Sequence, residues 1–134
     1  MSSSYDPVAE RAAHRCEYCR APESIFTLRF EVDHIVPVSS GGTGALGNLA
    51  LSCRACNLWK SNATSGLDPL TAEYAPLFNP RQDVWAEHFA VEIADFVAVL
   101  GKTPVGRATV EQLRMNAAAQ CKARRWWMLI GLFP

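Results

Sequence analysis

Four of the five cysteines stand in two C-x-x-C pairs, Cys16-Glu-Tyr-Cys19 and Cys53-Arg-Ala-Cys56, separated by residues 20 to 52. Each pair makes a tight knuckle that turns two thiolates toward one centre, and two knuckles complete the four-sulfur tetrahedron that zinc prefers. With four protein ligands such a zinc has no open position, so it is structural and any chemistry must come from other side chains. The candidates lie between and beside the pairs: Asp33-His34, Asn48 after Gly47, and Asn57 directly after Cys56. A zinc that clamps the two pairs together turns these four toward one cleft.

Their types suit hydrolysis of a phosphodiester, which needs a deprotonated water and positive charge where negative charge builds on the departing oxygen. An imidazole such as that of His34 takes a proton from water near neutral pH. The carboxylate of Asp33 and the side-chain oxygen of Asn57 are hard ligands for Mg²⁺ or Mn²⁺. Each residue alone has an ordinary use: His34 in the core, Asp33 and Asn48 in turns, Asn57 as a helix cap. Their joint placement around two knuckles favours a site.

These same residues resemble the HNH endonuclease family. The resemblance runs through Val32-Asp-His-Ile-Val-Pro37, Gly47-Asn-Leu-Ala-Leu-Ser-Cys53 and Cys56-Asn-Leu-Trp-Lys60, with Asn57 where the family's last histidine stands, as in its His-Asn-Asn variant. It implies an α+β chain with a ββα-metal (HNH) core and a structural zinc on Cys16, Cys19, Cys53 and Cys56. It further implies cleavage of DNA by a His34 general base, with Asp33 and Asn57 holding a catalytic Mg²⁺ or Mn²⁺ against the leaving 3′ oxygen. Asn48 would bond across the hairpin and hold the loop that orients His34. Products would carry 5′-phosphate and 3′-hydroxyl ends.

Arg20, Arg54 and Lys60 fall near this cleft in sequence and are candidate phosphate contacts. Trp126 and Trp127 beside Arg124 and Arg125 are weaker candidates for base stacking, since aromatic residues at a helix end usually pack in the core. Structural roles suit His14 and His88. The remaining thiol, Cys121, sits on an apolar helical stripe and reads as core.

The elements that must position the site follow from pattern. Ser2 to Ser4 read as a frayed start, and Val8 to Arg15 as a short helix before the first knuckle. Ile25 to Val32 is aromatic and β-branched, a strand running into Asp33-His34 and stopped by Pro37. The turn-rich Ser39-Ser-Gly-Gly-Thr-Gly44 leads to a second strand at Leu49-Ala-Leu51, making a hairpin with a long loop. A helix then opens near Asn57, which suits its cap. These elements compose residues 1–65.

Prolines 69, 76 and 80 predict an irregular segment from Gly66 to Pro80. Val84 to Ile93 and Ala94 to Leu100 read as two strands, and Val110, Leu113, Ala117 and Cys121 predict one long helix from Arg107 to about Ile130. Residues 66–134 are thus a C-terminal extension of two strands and a long helix, packing on the first part within one domain.

Among the 134 residues 49% are hydrophobic and 19% charged, with zero formal net charge, a composition that excludes a disordered chain and does not by itself make a polyanion binder. The distribution is uneven. Arg81 is the one base among Asp68, Glu73, Asp83, Glu87, Glu92 and Asp95 in residues 63–100. Lys102, Arg107, Arg114, Lys122, Arg124 and Arg125 then follow with Glu111 alone, a balance compatible with a basic surface or with a solvated helix face. The start lacks the apolar core of a secretory signal and no apolar run reaches membrane length, so the expected setting is cytoplasmic, with reduced thiols. DNA is the expected partner, with no membrane, for a monomer or homodimer. A non-catalytic zinc-ribbon module binding nucleic acid or protein is the alternative; it accounts for the cysteines but leaves Asp33-His34, Asn48 and Asn57 unexplained. A redox or metal-sensing use of the C-x-x-C pairs is a third reading.

Overall fold

A computed structural model describes residues 4–134; of the expected frayed start, Ser2 and Ser3 lie outside the described residues. The fold mixes helices with three small two-stranded antiparallel sheets, an α+β arrangement. Helix α1 (Tyr5–Arg11) leads into the first knuckle, and β1 (Glu31–His34) pairs with β2 (Leu49–Ser52), placing Asp33 opposite Ala50 and His34 opposite Leu49. Helix α2 (Arg54–Lys60) follows directly.

The first strand is shorter than its composition predicts. Its partner β2 ends at Ser52 because Cys53 turns away toward the other cysteines, so pairing stops at Glu31. The residues before Phe30 close instead on Glu23, whose carboxylate accepts from the Phe30 amide at 2.6 Å. Helix α2 begins earlier than expected, at Arg54. The cap is Cys53, whose Sγ accepts from the Cys56 amide at 3.4 Å, and Asn57 lies inside the helix.

The segment expected to be irregular is a hairpin of β3 (Ser65–Asp68) and β4 (Glu73–Pro76). Asp68 accepts from the Leu70 amide and the Thr71 hydroxyl, building the turn around Pro69, while Pro76 occupies the terminal pair with Ser65. Such side-chain bonding makes aspartate a turn former, and a sheet tolerates proline at a strand end. Where one strand was expected from Val84, helix α3 (Trp85–His88) makes a single turn before β5 (Phe89–Ile93), which pairs with β6 (Val97–Gly101).

The long C-terminal helix is two helices, α4 (Pro104–Gln112) and α5 (Ala118–Leu129). Thr103 caps α4 through the Gly106 amide, with Pro104 as its first residue. The break comes where Asn116 leaves the helical pattern to bond both the amide and the carbonyl of Val99, at 2.9 and 2.8 Å. Arg114 takes a left-handed conformation there, so Leu113 and Met115 are both buried while Ala117 faces solvent.

One apolar cluster runs through both halves of the chain, from Val8, Tyr18 and Leu51 to Phe78, Phe89, Leu113 and Trp127. Two of the C-terminal bases serve this packing, while Lys102, Arg114, Lys122 and Arg125 are exposed. Arg124 is fully buried and donates to the carbonyls of Val97 and Met115, and Arg107 makes a two-pronged pair with Asp68 at 2.9 and 3.0 Å. Trp127 packs against Phe26 and Phe133, leaving Trp126 exposed. Among the described residues no helix is long and apolar enough to cross a membrane.

Candidate active site and metal centre

The two C-x-x-C pairs meet. The Sγ atoms of Cys16, Cys19, Cys53 and Cys56 all lie within 4.8 Å of one another, and all four residues are buried. Four sulfurs about 2.3 Å from a common centre sit about 3.8 Å apart, and Cys19 Sγ and Cys53 Sγ are 3.7 Å apart. In each knuckle the second cysteine's amide donates to the first sulfur, at 3.5 Å in Cys16–Cys19 and 3.4 Å in Cys53–Cys56. The cluster fits a zinc site.

Its electrostatics point the same way. Burial opposes ionisation of Cys16, yet hydrogen bonds from Cys19, Cys53 and Cys56 hold its thiol well below the usual range. Hydrogen bonding to Cys16 and Cys19 pushes Cys53 and Cys56 up. Four buried thiolates side by side need a cation. Cys121 is buried elsewhere, 3.8 Å from Asn116 Oδ1, as a core thiol.

The first knuckle is joined to the hairpin through backbone and side chain alike. Glu17 donates its amide to the Leu51 carbonyl at 2.8 Å and accepts from the Leu51 amide at 2.9 Å. Thus the free edge of β2 is covered, and the sulfur cluster is tied to the strand beside the candidate catalytic residues.

Asp33, His34 and Asn57 line one open cleft of about 360 Å³, closed by the loop from Pro37 to Ser39 and by Ser61 and Asn62 at the end of α2. His34 is partly exposed, and none of the described residues hydrogen-bonds to its ring. Asn57 donates its Nδ2 to Glu31 Oε1 at 2.7 Å. Because a carboxylate accepts only, that bond fixes the amide orientation and leaves the Asn57 Oδ1 free as a ligand.

Asn48 does not line the cleft. Its Oδ1 accepts from the Val36 amide at 2.9 Å, and its Nδ2 donates to the carbonyls of Val36 and Thr43 at 3.0 and 2.7 Å. These three bonds pin both ends of the loop that follows His34. The loop folds back so closely that a Cβ on Gly42 would clash with the Val36 carbonyl, so only glycine fits there.

Asp33 is buried and engaged on both oxygens. Tyr18 donates to its Oδ2 at 2.8 Å, and Lys60 Nζ lies 3.2 Å from Oδ2 and 3.4 Å from Oδ1. Burial raises the Asp33 carboxyl, opposed by the Lys60 charge and the Tyr18 hydrogen bond. A carboxylate offers about four acceptor positions, so capacity for a cation remains. The pair of one carboxylate oxygen from Asp33 and one amide oxygen from Asn57 fits a hard divalent ion such as Mg²⁺ or Mn²⁺, with the His34 imidazole in the same cleft.

Lys60 corrects the expectation of a phosphate contact. Its side chain is only 2% exposed, and Nζ also donates to the carbonyls of His34 and Ile35 at 3.1 and 3.2 Å. It is an internal tie between α2 and β1. Arg54 is open to solvent at 88% and pairs with Glu31 at 3.8 Å, beside the cleft residues and not among its lining. Arg20 lies in a different concavity, stacked on Trp85. His14 bonds Glu23 at 2.7 Å and His88 bonds Thr103 at 2.6 Å, both structural contacts.

With this geometry in place the comparison with known families is direct. Residues 16–63 match the HNH endonuclease family model. The HNH segment contains all four clustered cysteines and Asp33, His34, Asn48 and Asn57, and it stops before the β3–β4 hairpin. No curated protein and no solved structure matches the chain.

Sequence reasoning missed Tyr18, Glu31 and the inward turn of Lys60. Two signals were present. Strand alternation puts Glu31 on the same face as Asp33, and Lys60 lies one helical turn beyond the buried Cys56. Nothing in the sequence marks Tyr18 as a partner of Asp33.

Proposed function

We propose that this chain is an HNH endonuclease that cleaves DNA phosphodiester bonds by metal-assisted hydrolysis, with β1, β2 and α2 as its ββα-metal core. The observation that carries this reading is the convergence of Asp33, His34 and Asn57 on one open cleft, with Asn48 pinning the adjoining loop. A binding module would need the sulfur cluster but not that convergence.

In this reading His34 takes the proton of the attacking water, its ring left free by the surrounding protein. Asp33 and Asn57 would hold Mg²⁺ or Mn²⁺, whose chemistry is charge stabilisation at the phosphate and the leaving oxygen. Lys60 and Tyr18 fix the Asp33 carboxylate, and Lys60 also holds the His34 carbonyl, so the two neighbouring residues keep one relative orientation. Asn48 fixes the loop on the other side of His34. Zinc bound by the four cysteines would hold the first knuckle against α2.

Residues 66–134 brace the HNH segment as part of the same domain. Trp85 donates its indole N–H to the Tyr18 carbonyl at 2.8 Å, Gln112 donates to the Trp59 carbonyl at 3.1 Å, and the Arg114 guanidinium lies 3.6 Å from the centre of the Trp59 ring.

The test is nicking of supercoiled plasmid DNA by zinc-loaded protein with Mg²⁺, with Mn²⁺ and with no added divalent ion. Metal-dependent nicking is expected. Retardation of DNA with no cutting under any condition would sink the nuclease reading and leave a binding module.

A further inference from the structure

We infer that the concavity on the α1 side of the first knuckle, walled by Arg11, Arg15 and Arg20, is a phosphate-binding site, and that the DNA backbone is its first source of phosphate. Its cavity measures about 180 Å³ and is distinct from the His34 cleft, with which it shares no lining residue.

The arginines make no direct ion pair. Among the described residues, none of Arg11, Arg15 and Arg20 has a carboxylate within 4.0 Å, although Glu17 and Asp83 line the same cavity. Glu17 pairs with Arg81 and accepts from the Leu51 amide, and Asp83, which accepts from the Asn79 amide, is the one lining carboxylate with no ion pair among the described residues. Cys16 also lines the cavity and its charge acts on Arg20, although among the described residues none of the three guanidiniums donates to a knuckle sulfur. Burial first, and then the nearby charge of Arg81 against that of Glu17, hold Arg11 below its ordinary range.

The arginines are also held in place. Arg11 donates to the carbonyls of Leu46 and Leu49 at 2.9 and 2.6 Å, and Arg15 to those of Arg20 and Leu132 at 3.1 and 2.7 Å. Arg20 makes no side-chain hydrogen bond among the described residues, and its guanidinium lies 5.0 Å from the centre of the Trp85 ring. Its backbone adopts φ 69°, a left-handed conformation that glycine takes without strain and arginine does not. Prepositioned guanidiniums with unused N–H groups are the standard recognition element for a tetrahedral oxyanion.

The site is mounted on the same hairpin as the cleft. Leu49, whose carbonyl Arg11 holds, is the residue in register with His34. A duplex engaged at the cleft therefore has a second anchor one strand away, and contacts of this kind set register without reading sequence. Naming DNA as the source rests on the nuclease reading; the phosphate site itself does not.

Two measurements on the full zinc-loaded chain test it. Inorganic phosphate, titrated while the arginine Nε–Hε resonances are followed by NMR, should shift Arg11, Arg15 and Arg20 and leave Arg125 unmoved. Duplex DNA, followed by anisotropy without added Mg²⁺, should bind Arg20→Gln several-fold more weakly, with the slope of log affinity against log salt reduced by about one. Arg20→Lys should fall between, and Arg125→Gln should leave the slope unchanged, all with normal zinc content. A response to both ligands supports the backbone site; a response to phosphate alone supports the site with a small phosphorylated ligand in place of DNA. If phosphate moves none of the three resonances and Arg20→Gln binds DNA as the parent does, the inference is overturned. Plasmid nicking read separately keeps the two apart, since wild-type protein that binds phosphate here and cuts nothing refutes the nuclease reading alone.

Discussion

Tyr18, buried inside the first C-x-x-C pair, donates a 2.8 Å hydrogen bond to Asp33 Oδ2 on the neighbouring strand. The four-cysteine centre and the candidate catalytic cleft are thereby joined through one hydroxyl. Tyr18→Phe removes that hydroxyl at almost unchanged volume and leaves a buried carboxylate short of a donor, at a cost of about 1–3 kcal/mol. Zinc content should stay normal, while the Mg²⁺ concentration giving half-maximal cutting should rise several-fold. Unchanged stability together with unchanged metal dependence would show that the hydroxyl does not position Asp33.

Lys60 is the other half of that clamp. Lys60→Met should destabilise the fold by about 3–5 kcal/mol, because it strands a buried carboxylate. Adding Asp33→Asn should recover much of the loss by removing the stranded charge. Urea unfolding of the two single variants and the double variant checks this; equal and additive losses would mean that the ammonium and the carboxylate do not depend on each other.

The four sulfurs should bind one zinc per chain, and in a small metal site much of the binding free energy is folding free energy. Cys53→Ser should lose zinc and melt at lower temperature. Metal analysis and thermal unfolding before and after chelation measure both. Protein that carries no zinc and melts identically after chelation contradicts the knuckle assignment.

The site was more legible than the frame around it. The cysteine spacing, the Asp33-His34 pair and the two asparagines are local signals, and the close turn at Gly42 was foreshadowed by a glycine-rich run. What failed was everything decided by a distant partner. The helix from Arg107 breaks because Asn116 bonds Val99 on another strand, and apolar periodicity passes straight through that position. Lys60 reads as a surface cation until β1 supplies a carboxylate and two carbonyls to bury it. Asp68 and Arg107, far apart in sequence, turn apparent loop and basic surface into a packed hairpin and an ion pair.

That ion pair gives a pH prediction. Hydrogen bonds from Arg107 bring the Asp68 carboxyl down to about 2, against about 3.9 for an unperturbed aspartate. A depressed carboxyl stabilises the fold above its unfolded value and loses that contribution as pH falls toward the folded one. Arg107→Gln should therefore lower the urea midpoint at pH 7, with the gap to wild type constant down to about pH 5 and narrowing only below about pH 4. A gap that closes between pH 7 and 5 would assign the effect to some other group.

The division of labour in the cleft is tested most directly by metal titration of plasmid nicking on His34→Ala and Asp33→Ala, with zinc content measured in parallel. His34→Ala should keep zinc and DNA binding, lose roughly 10²- to 10⁴-fold in rate, and stay slow at any Mg²⁺ or Mn²⁺ concentration. Asp33→Ala should instead recover part of its cutting as Mn²⁺ is raised. Parental cutting by His34→Ala, or its rescue by metal as fully as Asp33→Ala, would contradict the assignment of His34 as the base.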